Sequence, residues 1–163
     1  MSDEIRIREA TEADLAGVLL LYAQPELDDG NVLPVDQAAR IWKRFPHYPD
    51  YTLYVAEMGG EIVGSFALLV MDNLGHLGAP SGIVEDVVVA PHVHGHGIGQ
   101  AMMRFAAVRC RKRNCYKLML SSNAKRTRHD CWTAVSLYRD VESTGTLYAM
   151  RLEWPYNGAC LTS

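Results

Sequence analysis

Residues 82–113 read GIVEDVVVAPHVHGHGIGQAMMRFAAVRCRKR. The stretch opens with apolar, β-branched residues, Ile83-Val84 and Val87-Val88-Val89, which suits a strand. It crosses a tight loop, His94-Gly95-His96-Gly97-Ile98-Gly99. It then places Ile98, Ala101, Met102, Phe105 and Val108 at helical spacing. A strand, a glycine turn and a helix start, in that order, make a site for a phosphate-like anion. The glycines let the backbone come close, and the first N–H groups of the helix have no partner of their own. The helix ends in Arg109, Arg111, Lys112 and Arg113. These cations suit its negative pole. They are also a candidate contact for a further ligand phosphate, although they stand at the end of the helix far from the glycines.

The run VVVAPHVHGHGIGQAMM resembles the acetyl-CoA signature of the GNAT N-acetyltransferases. That signature is an apolar strand, a proline-containing loop, and Arg/Gln-x-x-Gly-x-Gly/Ala opening a helix. Gly97 and Gly99 fall on its glycines, whereas His94 and His96 stand where the family has Arg or Gln. The opening IRIREATEADLAGVLLLY also resembles the start of GNAT chains. The resemblance implies an α/β fold with a mixed, mostly antiparallel central sheet flanked by helices. It implies acetyl-CoA as cosubstrate, with an acetyl group passed to a primary amine of a small molecule or protein. On this resemblance the coenzyme meets Val87, Val88, Val89, His94, Gly95, His96, Gly97, Ile98, Gly99 and Gln100. A backbone N–H on the Val87–Val89 segment, where the family's strand is splayed by a bulge, would hold the carbonyl oxygen as charge grows on it. Asn123 matches a position that bonds the pantetheine arm in the family. Its residue type equally suits a helix cap.

Acyl transfer to an amine also needs a base and an acid. Glu85 is the first candidate base, because an acid inside an apolar run is out of pattern and burial would raise its pKa. Asp86 follows it, and regular strand pairing would turn it to the opposite face. Tyr138 is of the type the family uses as acid. His92, His94 and His96 form an H-x-H-x-H series that reads either as metal ligands or as charge-assisted donors to a pyrophosphate.

Elsewhere, Ile5-Arg6-Ile7-Arg8 alternates like a half-buried strand, and Thr11 with Asp14 reads as a capping-box variant. Leu15, Val18, Leu19 and Tyr22 then form a helical face. Gln24 to Pro34 reads as a loop. Val35, Ala38, Ala39, Trp42 and Phe45 form a second helical face that Pro46 should end. Trp42, Phe45, His47, Tyr48 and Tyr51 read either as acceptor contacts or as aromatics closing the core. Thr52–Glu57 and Ile62–Met71 read as strands joined across Gly59-Gly60. Asp72 to Gly82 reads as a loop, Tyr116–Ser121 as a strand, and Thr146–Trp154 as the last strand.

The length of 163 residues suits one domain, 1–163, with 155–163 an irregular tail. The net charge of −3 offers no basic surface for nucleic acid. No apolar run reaches the roughly 18 residues of a membrane span, and the N-terminus lacks a signal-peptide core. With Cys110, Cys115, Cys131 and Cys160 matching no zinc spacing, reduced thiols in a cytoplasmic protein are the expectation. A two-fold homodimer is expected from its frequency among oligomers. The alternatives to an enzyme are a non-catalytic acetyl-CoA-binding module of the same fold and a metal-binding module built on the histidines.

Overall fold

The computed structural model describes residues 4–25, 27–121, 141–144 and 147–151. The described strands are β1 (Arg6–Glu9), β2 (Tyr51–Met58), β3 (Glu61–Met71), β4 (Ser81–Val89), β5 (Lys117–Ser121), β6 (Val141–Thr144) and β7 (Leu147–Arg151). They form one sheet in the order β1-β2-β3-β4-β5-β7-β6. Every neighbouring pair is antiparallel except β4 and β5, which run parallel. The mixed, mostly antiparallel sheet expected from the resemblance is the one observed. β2 and β3 join across Gly59 and Gly60, whose φ of +59° and +85° is the backbone that makes glycine the residue of choice there.

Three α-helices are described, α1 (Leu15–Tyr22), α2 (Val35–Trp42) and α3 (Ile98–Lys112). A 3₁₀ turn, Glu12–Asp14, leads into α1. The Thr11 N–H and Oγ1 both donate to the Asp14 carboxylate, at 2.7 and 2.9 Å. Arg8 closes on the same carboxylate through two nitrogens at 2.7 and 2.9 Å and reaches Glu57 at 3.1 Å. The guanidinium holds the Asp14 carboxyl well below the ordinary range. One acid thus caps the entry to α1 and ties it to β1. α2 stops at Trp42, four residues short of Pro46, which lies instead in a 3₁₀ turn, Phe45–His47. Pro46 has no N–H to continue the α2 ladder, and it sits early in this separate turn, where none is needed.

α3 lays Ile98, Met102, Met103, Ala106, Ala107 and Cys110 against the sheet. Ile98 and Met102 are almost fully buried. Burying a side chain of that size contributes about 1.5–3 kcal/mol. The first turn of α3, where the anion site was expected, is therefore pinned to the end of β4 by its own core residues. At the other end Arg109 donates to the Tyr54 hydroxyl at 3.2 Å and to Glu9 at 2.8 Å, and Arg113 grips Asp50 at 2.6 and 2.7 Å. These two cations clamp the helix to β1 and to the entry of β2.

Gly82 allows the close approach of α3 to β4. A methyl group there would collide with Cys110 Sγ and stand 3.0 Å from Leu118 Cδ1. Both neighbours are buried and have nowhere to go. Gly82→Ala is expected to destabilise the protein by about 1–3 kcal/mol, the cost of overpacking. A lowered urea midpoint checks it, and an unchanged midpoint would show that α3 slides away freely.

The β6–β7 hairpin is only partly in the sequence reading, which has β7 inside Thr146–Trp154 and no strand at Val141–Thr144. Among the described residues no helix is long and apolar enough to cross a membrane.

Candidate active site

The site begins as a gap in the sheet. β4 and β5 pair only from Ser81 with Lys117 to Val84 with Leu120. β4 then runs on to Val89 with its β5-side edge unpaired among the described residues. On the other side Val88 pairs with Ser65 and Val89 with Gly64, and the Ala90 N–H bonds the Val63 carbonyl at 2.8 Å. Antiparallel strands alternate the direction of their backbone groups. Val88 therefore turns its amide toward β3, and Val89 turns its amide into the gap. Of the three valines named from the sequence, Val89 has the N–H placed to meet a ligand, and Val87 lies in a bulge beside it. The Val89 carbonyl is already occupied, accepting from Gln24 Nε2 at 3.2 Å and lying 3.1 Å from His94 Nε2.

The bulge is visible in the register. Ala67 pairs with Glu85 and Ser65 with Val88, so Phe66 faces two residues, Asp86 and Val87. Asp86 takes φ +52°, a left-handed backbone that Asp enters more readily than most residues. The regular pairing on which opposite faces for Glu85 and Asp86 depend is absent here. The extra residue breaks the alternation, and both carboxylates act on Tyr51. Burial was expected at Glu85, which is instead exposed. Asp86 is exposed as well, yet desolvation acts on its carboxyl. It pushes that carboxyl above its ordinary range, and the Asp28 carboxylate adds to the effect.

Around Asp86 lie groups that sequence reading assigned to the core or to a loop. Tyr22, the last residue of α1, is raised by burial, against the nearby Ser65 hydroxyl, and then by the charges of Asp86, Tyr51 and Asp28. Tyr51 is raised by burial and then by Asp86, Glu85 and Tyr48. Its ring meets Phe45 edge-on at 4.9 Å and Tyr48 at 6.2 Å. The aromatic series thus divides. Trp42 and Phe45 pack on Val18, Leu53, Val55 and Ala67 as core, while Tyr48 and His47 are exposed. Tyr22 and Asp28 were missed as site residues. The only signal available was that Tyr22 ends its helix beside a loop rich in acids.

The glycine loop forms as read. After a 3₁₀ turn at Pro91–Val93, Gly95 and Gly97 take φ of +82° and +79°, and Gly97 caps α3. The Ala101 N–H bonds the Gly97 carbonyl at 2.9 Å. The N–H groups of Gly95, Gly97, Ile98 and Gly99 have no partner among the described residues. They form a nest of donors at the positive pole of a fifteen-residue helix. That donor set fits a diphosphate. His94 Nε2 lies 3.1 Å from Val89 O, and His96 Nδ1 lies 3.1 Å from Val93 O and 3.2 Å from His94 O, so each ring braces the loop with one nitrogen. His92 instead faces Glu61 at 3.5 Å. The three imidazoles serve different partners, and among the described residues no group of three is placed to hold a metal ion. Tyr138 and Asn123 lie outside the described residues.

The acetyltransferase (GNAT) family model matches residues 15–130. The chain belongs to the GNAT family. A glucosamine 6-phosphate N-acetyltransferase of Trypanosoma brucei brucei is 29% identical over 130 residues, spanning 75% of this chain and 82% of that relative. The solved structure of a Trypanosoma brucei acetyltransferase superposes with a TM-score of 0.69 at 26% identity, covering 93% of this chain and 100% of the other. A Salmonella typhimurium structure solved with its cofactor acetyl-CoA has the same fold, with a TM-score of 0.69 at 16% identity over 93% of this chain and 95% of its own. Within the GNAT frame the gap, the bulge and the glycine loop are adjoining parts of one end of the sheet.

Proposed function

We propose that this GNAT protein transfers the acetyl group of acetyl-CoA directly to a primary amine of a small molecule. The observation that carries the reading is the junction of two features along one stretch of chain. The unpartnered amides of Gly95, Gly97, Ile98 and Gly99 suit a diphosphate, and the unpaired edge of β4 beside them suits a thioester arm. Residues of this chain then have defined tasks. The loop amides and the dipole of α3 bind the diphosphate. The Val89 N–H, or that of Val87 in the bulge, donates to the thioester oxygen as it becomes an oxyanion.

The carboxylate pair, with Asp86 ahead of Glu85, takes the proton that the ammonium must lose before its nitrogen can attack. A C–N bond forms and the C–S bond breaks, and the thiolate leaves with a proton. Tyr138 is the proposed donor of that proton, on the family resemblance alone. Holding amine and thioester together adds to the acceleration by making a bimolecular step effectively unimolecular.

The test is release of free thiol from acetyl-CoA in the presence of a panel of primary amines, with glucosamine 6-phosphate among them because a relative acts on it. Turnover with at least one amine is expected. Tight acetyl-CoA binding with no thiol release across the panel would replace this reading with that of a coenzyme-binding module.

A further inference from the structure

We propose that the cavity between the last turn of α3 and strands β2 and β3 binds a small organic carboxylate, gripping its charged end and packing on its apolar body. The proposal is independent of the acetyl-transfer reading. The cavity has a volume of about 280 Å³, and none of its lining residues belongs to β4 or to the glycine loop. A helix rises about 1.5 Å per residue, so Lys112 stands roughly 20 Å along α3 from the donors at its start.

Strand alternation builds the floor. Thr52 pairs with Leu68 and Tyr54 with Phe66, and the Val70 N–H bonds the Asp50 carbonyl at 3.0 Å. Thr52, Tyr54, Leu68 and Val70 therefore share one face of the sheet, and the last three are buried. On α3, Arg109, Lys112 and Arg113 fall at i, i+3 and i+4, so all three meet this floor from the same side of the helix. An apolar floor with a few convergent polar groups is the usual make-up of a small-molecule site.

The polar groups left over decide the charge of the guest. Arg109 holds Glu9 at 2.8 Å, and Arg113 grips Asp50 at 2.6 and 2.7 Å. Each acid of the cavity is thus matched by a guanidinium. Lys112 makes no ion pair among the described residues, so its charge is the one not cancelled. The buried Tyr54 hydroxyl accepts from Arg109 Nε and Nη2 at 3.2 Å each, and its own proton has no acceptor among the described residues. The cavity therefore has donors to offer, and its acceptors are spent. A carboxylate is all acceptor and fits that balance.

The negative pole of α3 does not cancel this charge, because its last carbonyls are already engaged. Those of Arg109 and Cys110 accept from the Arg113 N–H at 3.2 and 3.1 Å, and that of Arg111 accepts from the Asn114 N–H at 3.0 Å. One uncancelled positive charge above an apolar floor favours a single carboxylate over a phosphate dianion.

Benzoate, benzamide and inorganic phosphate, titrated into the isotope-labelled full chain, decide the matter. The readout is the Nε–H resonances of Arg109 and Arg113. Benzoate is expected to shift both. It should bind about tenfold or more tightly than benzamide, which keeps the ring without the charge, or phosphate, which has charge without the ring. Lys112→Gln changes an exposed side chain and is expected to weaken benzoate about tenfold while leaving benzamide within about twofold. Saturating acetyl-CoA is expected to leave benzoate affinity within about twofold, as two separate sites require. Benzoate that shifts neither resonance, binds no better than benzamide, or is indifferent to Lys112→Gln would overturn the proposal. So would displacement by acetyl-CoA, which would make the cavity part of the coenzyme site, or tighter binding of phosphate, which would leave the apolar floor without a role.

Discussion

Asp86→Asn lowers kcat by about 10²–10³-fold, the usual worth of a positioned base, and leaves acetyl-CoA affinity within a few-fold of the parent. Asn is the replacement of choice because it tolerates the left-handed backbone that Asp86 adopts at φ +52°, so the bulge survives the loss of charge. The pH profile carries the sharper signature. Desolvation and then Asp28 raise the Asp86 pKa, and a base works only when unprotonated. In the parent, kcat therefore climbs with pH through a carboxyl that titrates above its ordinary range, then levels. In the Asn variant that rising limb is gone.

Glu85→Gln alters a side chain that stands in solvent, so it costs about tenfold at most and keeps the limb. A limb that persists in Asp86→Asn and disappears in Glu85→Gln would give the base role back to Glu85. Tyr22, Tyr51, Asp28 and Glu85 are the titratable neighbours. The phenols are raised from an already basic value and take no part in an acidic limb.

The parts of this site that the sequence shows plainly are those set by local chemistry. Gly95 and Gly97 are legible because a left-handed turn before a helix calls for glycine, and α3 is legible because its apolar period continues from Ile98 to Val108. The bulge is a different kind of feature. GIVEDVVV read alone is a straight strand, and the extra residue exists only because Ser65 and Ala67 of β3 fix the register on both sides of it. The trace left in the sequence is the pair Glu85-Asp86. In a regular strand one of two adjacent acids would point into the core, so two together in an apolar run are better explained by a break in alternation.

Tyr22 was placed with the core because its spacing from Leu15, Val18 and Leu19 is helical, and helical spacing cannot tell the end of a buried stripe from the wall of a cleft. Asp28 was invisible for a simpler reason. Its place beside Asp86 depends on the loop bonds to Tyr22 and Asn31 and on Gln24 reaching Val89, contacts made across 65 positions of chain in the last case.

Gly97→Val weakens acetyl-CoA binding by about 5- to 150-fold, the equivalent of the roughly 1–3 kcal/mol that a strained backbone position costs. No atom lies within 4 Å of where a Cβ would stand at Gly97, so steric collision inside the protein plays no part. The penalty is conformational. At φ +79° a β-branched side chain is strained, and the loop relieves that strain by leaving the left-handed turn. Once it does so, the amides of Gly95, Gly97, Ile98 and Gly99 no longer converge, and the diphosphate loses several donors together.

Gly97→Asn separates the causes, because Asn adds a side chain yet accepts the same φ. Binding near the parent value in the Asn variant, with the loss confined to Val, identifies the backbone turn as what holds the coenzyme. Titration of acetyl-CoA into the three proteins by calorimetry measures this directly. If Val binds as tightly as Gly, the donors do not depend on the cap, and the diphosphate must be held by some other part of the chain.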